Sequence, residues 1–422
     1  MILTYEYRLR PTNKQAAQID WWLELRRRHW NYALGQRLDY LRRTRSQIDR
    51  CSLIGEPIGE IPKPVNYYTQ QAALKETKVR FPDYKEIYSE VQQINRQRLD
   101  KAWKRWRVPD KNGKRGGRPR FKKAGQLRSF EFSRVNHGKA TIKFDGKNLI
   151  TTRLGIIPVI VHRPIPEGFE LRTASIVKKA DGYYVGLRAK DERVTEPLAL
   201  DQIKSAIGID VGLKEFLTTS EGKTIPIQQT YRQAQNHLAR QQRRLKNKQK
   251  GSINYQKQQD KIAKIHQRIQ RQRKDFQYKI ANWLTRCYDL IAIEDLNIKG
   301  LSRTRLAKSI LDAAWGQLIA ILEAVAVKCG VRVVKVNPHG TSQDCSSCHA
   351  KVLKTLSVRS HECPKCGLVM DRDENAARNI LHRALEEIQA VGRIASACGG
   401  LDNSQPAKQE TLKGEWVQLS LF

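Results

Sequence analysis

The sequence predicts a mixed α/β protein of several domains, and three observations carry this prediction. The hydrophobic pattern changes along the chain from helical spacing, to simple alternation, and then to strands and helices in turn. Two C-x2-C pairs in the last quarter have the spacing of a small metal-binding insertion. Acidic residues end two apolar strand patterns, and a third follows the last cysteine pair. The 422 residues are enough for two to four domains with cores of their own.

The first 110 residues combine one predicted strand with two helical stretches. Residues 2–9 alternate like a strand, and Thr12 is a candidate N-cap for the long helix that follows. A second helical pattern covers about 68–107, and a polar connection over 46–64 separates the two. A basic, glycine-rich segment over 110–123 marks the boundary to the next part of the chain.

Residues 128–191 return to the alternating pattern of strands. The sequence Ala180-Asp181-Gly182 separates two alternating runs, and Asp-Gly at such a place predicts a hairpin turn. This segment therefore predicts a small β-barrel or sandwich, which the strand over 2–9 completes.

The part that begins at residue 205 predicts an α/β domain. The apolar runs SAIGID and IAIED predict strands that end in Asp210 and Glu294. Two basic helices over about 229–249 and 253–286 lie between these strands in the sequence. An amphipathic helix, another strand, and a last helix that begins near DRDEN complete the pattern.

Charge points to a polyanionic partner. Lysine and arginine number 78 against 42 acidic residues, a formal net charge of +36. Nucleic acid is the expected partner, because each neutralised phosphate releases a counterion and adds affinity. A membrane partner is not expected, since the sequence shows no run of about 18 apolar residues and no apolar signal-peptide core near its start. Four single cysteines, at 51, 287, 329 and 398, are typical of a reducing intracellular compartment.

The paired cysteines predict one structural zinc site. Cys345, Cys348, Cys363 and Cys366 supply four thiolates at C-x2-C spacing, which suits one tetrahedral Zn²⁺ with no open position for catalysis. Four unrelated thiols are the alternative, and two such pairs in one chain of eight cysteines make it the weaker one. The cysteines therefore predict a zinc ribbon inserted into the last domain.

Three carboxylates are candidates for a catalytic metal site. Asp210 and Glu294 end predicted strands, and Asp373 begins the last predicted helix. Carboxylates that meet at a sheet edge can hold a pair of Mg²⁺ ions for phosphodiester hydrolysis, and hard divalent cations prefer oxygen ligands. A single acidic residue after a strand is more often a helix cap or turn former. The set is stronger evidence than its members, because all three fall in one α/β unit.

Two basic segments are candidates for nucleic-acid contact. The candidate contact residues are Arg240, Arg243, Arg244 and Lys246 in the first basic helix, and Arg118, Arg120 and Lys122 in the glycine-rich segment. The alternatives are a solvated helical hairpin for the first group and a polar linker for the second. Five tryptophans at helical spacing, Trp21, Trp22, Trp30, Trp103 and Trp106, suit a helical core better than base stacking.

Four strings carry a resemblance to a known family over nearly the whole chain to about residue 385. The strings are YRLRPTNKQ…RRRHWNYAL, GIDVGLKEF, IAIEDLNIKGL and TSQDCSSC…CPKCGLVMDRDENAARNI. They resemble the TnpB family, RNA-guided nucleases of bacterial insertion sequences that are related to CRISPR type V effectors. The family's acidic triad matches Asp210, Glu294 and Asp373, since its aspartate–any–Asn–small pattern falls on Asp373 rather than on Asp371. His349 stands where the family often has glycine after the second cysteine.

The resemblance implies a domain order. It places a RuvC-like nuclease of RNase H fold in the second half, a helical recognition lobe inserted into a β-barrel wedge domain in the first half, and the zinc ribbon within the nuclease. The implied ranges are wedge 1–10 and 125–195, recognition lobe 11–124, nuclease 196–342 and 369–395, zinc ribbon 343–368, and a disordered tail 396–422.

The resemblance also implies a function: Mg²⁺-dependent cleavage of DNA, guided by RNA, beside a short transposon-adjacent motif. The implied cofactors are one structural Zn²⁺, two catalytic Mg²⁺ and a guide RNA, and the implied partners are a structured guide RNA and double-stranded target DNA. The expected protein is a monomer in the cytoplasm of a prokaryote, associated with the nucleoid. Two other functions stay open: a transposase that cuts and joins DNA with the same carboxylates, and a guide-directed DNA-binding regulator without cleavage.

Overall fold

A computed structural model describes residues 2–54, 63–138, 140–191, 196–355 and 358–397 of the chain. Nearly all of the tail predicted over 396–422 lies outside these described residues. The chain forms two compact units, the first from Met1–Val194 with Arg240–Gln267 and the second from Thr195–Ala239 with Arg268–Phe422.

A seven-stranded antiparallel sheet organises the first unit, with the order β2-β6-β7-β1-β5-β4-β3. Its strands are β1 (Ile2–Leu9), β2 (Ser129–Phe132), β3 (Ile142–Phe144), β4 (Asn148–Thr151), β5 (Gly155–Ile160), β6 (Glu170–Lys179) and β7 (Gly182–Lys190). The predicted Asp-Gly turn is confirmed, because Lys179 and Gly182 pair across it. The hydrogen-bonded order ends at β2 and β3, and closure into a barrel stays a prediction.

Alternation along β1 explains why this sheet has one buried face. Tyr5, Tyr7 and Leu9 are buried, while the residues between them are exposed. Their side chains belong to a core that also contains Trp22 of the following helix and Phe130 of β2. Burial of this size is the main favourable term in the stability of the unit.

Four α-helices complete this part of the first unit: α1 (Asn13–Ile54), α2 (Tyr67–Ala72), α3 (Leu74–Arg80) and α4 (Ser89–Arg107). The predicted cap at Thr12 is confirmed, since its Oγ1 accepts from the backbone N–H of Gln15 at 3.3 Å while Gln15 Oε1 accepts from the N–H of Thr12 at 2.9 Å. The predicted connection over 46–64 is wrong in its first half, because no glycine or proline stops α1 before residue 55. The single helix predicted over 68–107 is three helices and a 3₁₀ turn that begins at Pro82, which has no N–H to continue a helix.

A helical hairpin connects two strands of the second unit and consists of α5 (Thr230–Lys246) and α6 (Ile253–Cys287). Gln258 is buried between the helices and donates to the backbone and side-chain oxygens of Gln241 at 3.0 and 2.9 Å. Gln267 of α6 donates to Asp181 in the β6–β7 turn at 2.7 Å. Residues 240–267 of the hairpin accordingly belong to the first unit.

A five-stranded sheet organises the second unit, with the order β10-β9-β8-β11-β12. The strands are β8 (Ala206–Asp210), β9 (Glu215–Thr219), β10 (Thr224–Pro226), β11 (Leu290–Glu294) and β12 (Arg332–Val336). The first three form an antiparallel meander, whereas β11 pairs in parallel with both β8 and β12. Every residue of β11 is buried, as expected of a central strand covered on both faces.

Three helices, α7 (Ile298–Leu301), α8 (Ala307–Ala313) and α9 (Trp315–Cys329), lie between β11 and β12 in the chain. Within Ala307–Cys329, a window of 18 residues has a mean hydropathy of 1.7, and by length and composition alone this run could span a membrane, so the expectation of no such run is wrong. The run is two helices, because Ala314 adopts a left-handed φ of 55°. Leu318 and Leu322 are buried in the core beside β8 and β11, which accounts for the apolar composition.

The last part of the second unit contains the cysteine-rich insertion and one long helix. A hairpin of β13 (Ser360–Glu362) and β14 (Val369–Asp371) leads directly into α10 (Arg372–Ala397). Ile380 and Ala384 of α10 pack against Ala292 of β11 and Val336 of β12. The helix therefore lies on the five-stranded sheet, with its first turn next to the insertion.

Candidate functional site

Asp210 and Glu294 occupy neighbouring positions at one end of the five-stranded sheet. They are the last residues of β8 and β11, which are parallel neighbours. Ile209 is in register with Ile293, so the next residues along the two strands are Asp210 and Glu294. Because side chains alternate along strands, residues at matching positions of paired strands project from the same face. Glu294 is 8% exposed, whereas Asp295, the first residue after β11, is exposed.

Helix α10 brings Asp373 to the same place. Gly208 of β8 permits the close approach, since a Cβ at this position would lie 2.1 Å from the carbonyl oxygen of Ala377. Ala377 lies one helical turn after Asp373, and Gly208 lies two residues before Asp210. The contact between Ala377 and Gly208 therefore brings Asp373 near Asp210. Asp373 is 9% exposed. Three carboxylates from three distant parts of the chain therefore converge at one sheet edge.

The electrostatics show how closely the three groups interact. Burial, followed by the charges of Glu294 and Asp373, raises the pKa of Asp210 to about 8. The positive charge of Arg372 acts in the opposite direction and lowers this pKa. Burial also raises the pKa of Glu294, while the hydrogen bond from Thr341 and the charge of Arg383 act in the opposite direction. Like charges held together in this way are unfavourable unless a cation or a proton compensates them.

Two arginines contact Asp373. Arg372 donates to its Oδ1 through Nη2 at 2.9 Å, and Arg359 of the insertion donates to its Oδ2 through Nη1 at 3.4 Å. Asp371 has a different role, because its Oδ1 accepts from the backbone N–H groups of Asp373 and Glu374 at 2.8 and 3.3 Å. Asp371 is therefore the exposed cap of α10, and Asp373 is the buried group beside Asp210.

The donor set of the three carboxylates suits Mg²⁺. All the candidate ligand atoms are carboxylate oxygens, the donors that hard divalent cations prefer. The pKa of Asp210 is raised first by burial and then by the charges of Glu294 and Asp373, and a bound cation would offset both effects. Among the described residues, only the cysteine sulfurs form a group of metal-ligand atoms that all lie within 4.8 Å of one another, so the carboxylates are spaced more widely.

Substitution of Asp210 by asparagine should stabilise the protein when no divalent cation is added. An unfolded aspartate loses its proton near pH ~4, whereas the folded Asp210 has a pKa of about 8, so the folded state loses relative stability as pH rises through this window. Asp210→Asn is neutral throughout. We expect its gain in unfolding free energy to grow from near zero at low pH to on the order of 5 kcal/mol at pH ~8, because each unit of pKa difference is worth about 1.4 kcal/mol.

Thermal unfolding between pH 5 and 8, without chelator, measures this difference. Asp295→Asn is the matched control, because Asp295 is the exposed residue directly after Glu294 at the end of β11. Equal unfolding temperatures for Asp210→Asn and the wild type at every pH would contradict the electrostatic account of the site.

The four cysteines form a compact cluster in the insertion. Their sulfurs all lie within 4.8 Å of one another, with 3.6 Å between Cys345 and Cys366 and 3.5 Å between Cys348 and Cys363. Four sulfurs bound to one zinc at about 2.3 Å would be separated by comparable distances. Backbone hydrogen bonds from Cys366 and Lys365 lower the pKa of Cys363 to about 6, which favours the thiolate that a metal needs. The cluster therefore fits a closed structural zinc site.

The two cysteine pairs sit in matching turns. In the first turn the backbone carbonyl of Cys345 accepts from the N–H of His349 at 2.9 Å. In the second turn the backbone carbonyl of Cys363 accepts from the N–H of Gly367, also at 2.9 Å. His349 and Gly367 are equivalent positions, with left-handed φ values of 57° and 73°. Glycine adopts this conformation without steric cost, whereas histidine does not. The departure at His349 therefore strains one turn and leaves the four ligands in place.

The predicted nucleic-acid contacts lie on two basic surfaces of the first unit. The first is the α5 surface, formed by Arg240, Arg243, Arg244 and Lys246, all exposed. The second is the 118–122 segment, whose backbone is fixed to α1: Asn31 and Trp30 donate to the carbonyls of Lys122 and Arg120 at 3.0 and 3.2 Å.

The side chains of this segment are arranged for solvent or a ligand. Arg118 and Arg120 are exposed, and the Arg118 guanidinium lies 5.6 Å from the ring of Trp106. Of the five tryptophans, Trp22 and Trp30 are buried, and the other three are half-buried. The core role expected of the tryptophans thus holds fully for two of them.

The sequence analysis missed three buried polar residues around the carboxylates: Thr341, Asn375 and Asn379. Thr341 contacts Glu294, and the two asparagines connect α10 to the loop before the first cysteine. Asn375 was visible only as part of a motif. A buried side-chain amide or hydroxyl needs a partner, but the sequence alone does not reveal which one.

Three family models match the chain. Residues 191–305 match a family described as "Probable transposase", residues 315–380 match "Cas12f1-like, TNB domain", and residues 1–46 match "Helix-turn-helix domain". The last description differs from the structure, in which these residues form β1 and part of the single helix α1.

One relative extends the similarity over nearly the whole chain, and others match large parts of it. A protein named "Putative RNA-guided DNA endonuclease" from Streptomyces pristinaespiralis is 31% identical over 417 residues, which cover 97% of this chain and 94% of the relative. "Putative RNA-guided DNA endonuclease InsQ" from Escherichia coli (strain K12) is 29% identical over 70% of this chain and 74% of its own. "TnpB-like protein L79" of Acanthamoeba polyphaga mimivirus is 30% identical over 46% of this chain and 40% of its own.

Proposed function

This chain belongs to the TnpB family, and we propose that it is an RNA-guided, Mg²⁺-dependent DNA endonuclease that cleaves beside a short transposon-adjacent motif. The observation that carries the proposal is the convergence of Asp210, Glu294 and Asp373 at one sheet edge, in a chain similar along 97% of its length to a relative named as an RNA-guided DNA endonuclease. The family resemblance seen in the sequence is thereby confirmed.

The sheet of the second unit supports an RNase H-like, RuvC-type nuclease. An antiparallel meander of β8, β9 and β10 continues through β8 into the parallel strands β11 and β12. Asp210 and Glu294 end two adjacent parallel strands, at the edge where open α/β sheets commonly bind ligands. The cysteine insertion between β12 and α10 contributes Arg359 to the same edge.

The residues of the site have distinct roles in this proposal. Asp210, Glu294 and Asp373 would hold two Mg²⁺ ions, which supply an activated water and stabilisation of the leaving oxygen when they are bound. Asp210 must give up its proton to bind a cation, and its raised pKa makes this step pH-dependent. Arg372 and Arg359 hold the Asp373 carboxylate, and Arg372 favours the charged form of Asp210.

The basic surfaces support RNA and DNA as partners. A net charge of +36 is far more than a short DNA contact needs, which favours a large bound RNA. The α5 surface and the 118–122 segment present exposed cations that suit phosphate contacts. In this account base pairing with the guide selects the sequence, while the protein reads backbone shape and the adjacent motif.

Purified protein should retain a structured RNA encoded near its own gene, and binding should weaken steeply with salt. A variant with Arg240, Arg243, Arg244 and Lys246 changed to glutamine should bind this RNA more weakly. Because each phosphate contact contributes about 0.7–0.9 to the slope of log K against log salt, loss of four contacts should reduce the slope by roughly 3. Sequencing of the copurified RNA and a filter-binding salt series measure both effects.

A charge-matched variant controls for the loss of four positive charges. Arg42, Arg43, Lys104 and Lys279 are paired with carboxylates on their own helices at 2.8–3.1 Å. Their change to glutamine removes the same formal charge from groups that each have a carboxylate within 3.1 Å, although Arg42 and Arg43 share Asp39. Equal weakening by both quadruple variants, or purification without RNA, would contradict the proposed contact surface.

A further inference from the structure

A buried threonine contacts the carboxylate of Glu294. Thr341 is 3% exposed, and its hydroxyl donates to Glu294 Oε1 at 2.5 Å, with the carbonyl of Pro338 farther away at 3.1 Å. A hydroxyl has one proton, and an ionised carboxylate is the stronger acceptor of the two. The bond uses Oε1 of Glu294 and not Oε2, and it fixes the rotation of the carboxylate.

Thr341 is in turn held from helix α10. Asn379 is 3% exposed, and its Nδ2 donates to the carbonyls of Thr341 and Asp344 at 2.8 and 2.6 Å. One turn earlier, the amide of Asn375 donates to the same Asp344 carbonyl at 2.8 Å and accepts from the N–H of Ser346 at 2.9 Å. Both asparagines thus fasten the loop before the first cysteine pair to the helix that carries Asp373.

A third residue of α10 closes the network on its outer side. Arg383 donates through Nη1 to the carbonyls of Asn337 and His339 at 2.9 and 2.6 Å, and through Nη2 to Asp344 Oδ2 at 2.8 Å. Hydrogen bonds therefore anchor the segment from 337 to 346 to α10. They are exposed at Asn337 and His339 and buried or half-buried at Thr341, Asp344 and Ser346. The buried part of this network has few alternative arrangements, because each bond lost there would leave a buried polar group without a partner.

We propose that Thr341 is a positioning residue for the cleavage reaction, which orients the Glu294 carboxylate for cation binding and is held in place by Asn379. The proposal rests on the proposed function. Residues that hydrogen-bond to metal ligands orient them, and their loss commonly costs about 10- to 100-fold in metal affinity. The network also makes the cysteine insertion part of the mechanism, because the insertion and Glu294 share the segment that Asn375 and Asn379 hold.

Cation binding by the full-length protein tests this role without relying on activity. Mn²⁺ titration followed by electron paramagnetic resonance should give an affinity about 10- to 100-fold weaker for Thr341→Val than for the wild type. Thr341→Ser keeps the hydroxyl and should restore most of the affinity. Thr285→Val is the matched control, since Thr285 is also buried and its hydroxyl donates only within its own helix, to Ala281 and Asn282.

A second variant keeps the test informative if Thr341→Val does not fold. Asn379→Ala keeps the hydroxyl but frees the segment, and it should weaken Mn²⁺ binding severalfold while zinc content stays at the wild-type level. Cleavage by both variants should need more Mg²⁺ for half-maximal rate and recover at high Mg²⁺. Wild-type Mn²⁺ affinity in either folded variant, or Thr341→Ser as weak as Thr341→Val, would overturn the proposal. Failure of the proposed function would give a different result. In that case Asp210→Ala would bind Mn²⁺ no more weakly than the wild type.

Discussion

Alanine at Asp210, Glu294 or Asp373 is expected to lower the rate of DNA cleavage by at least about 1000-fold and to leave RNA binding at the wild-type level. Each substitution removes one side of the cation site, and catalytic metal ions contribute several kcal/mol to the stabilisation of the transition state. The basic surfaces lie in the other compact unit and carry none of the three residues. Single-turnover cleavage and RNA binding, measured on the same preparations, separate the two effects.

Asp371 and Asp295 provide matched controls for the three carboxylates. Asp371→Ala removes the cap of α10 and should cost about 1 kcal/mol of stability with a mild effect on cleavage. Asp295→Ala removes an exposed carboxylate next to Glu294 and should cleave like the wild type. Inactive Asp371→Ala together with active Asp373→Ala would show that the assignment within DRDEN is wrong.

Serine at Cys363 is expected to abolish stable zinc binding and to unfold the insertion over 343–368. A closed four-sulfur site loses a quarter of its ligands, and structural zinc sites contribute apparent free energies of about 10–16 kcal/mol in small domains. Elemental analysis should find one zinc per wild-type chain and much less in Cys363→Ser. Protease cleavage within the insertion should accelerate in the same variant.

Cys329 supplies the control for the zinc experiment. It is an exposed free cysteine in α9, so Cys329→Ser should retain zinc and resist protease like the wild type. The zinc has a structural role in this account, and its loss should impair cleavage only through the insertion and the segment that positions Glu294. Wild-type protein purified without chelator and free of zinc would contradict the assignment.

Local patterns in the sequence were enough to place Asp210, Glu294 and the four cysteines. Strand periodicity and C-x2-C spacing depend on residues a few positions apart, so they can be recognised without knowledge of the fold. The Thr12 cap and the Asp-Gly hairpin were found for the same reason. The choice of Asp373 over Asp371 came from the family motif, and the cap formed by Asp371 now gives it a physical reason.

Features that depend on distant contacts could not be predicted in this way. Thr341 and Glu294 are 47 positions apart, and Asn379 and Thr341 are 38 apart. The left-handed Ala314 that divides the apolar run over 307–329 carries no signal in its own residue type, because alanine favours helices. The position of α10 on β8 follows from the space at Gly208, which only the packed structure reveals.

Guide dependence is the central claim, and one cleavage assay tests it directly. Protein freed of bound RNA is mixed with Mg²⁺ and double-stranded target DNA, together with a guide whose end matches the target, a scrambled guide, or no guide. We predict cleavage only with the matched guide, since base pairing supplies the choice of sequence. Equal cleavage in all three mixtures, or joined strand-transfer products, would contradict the account and favour an unguided nuclease or a transposase.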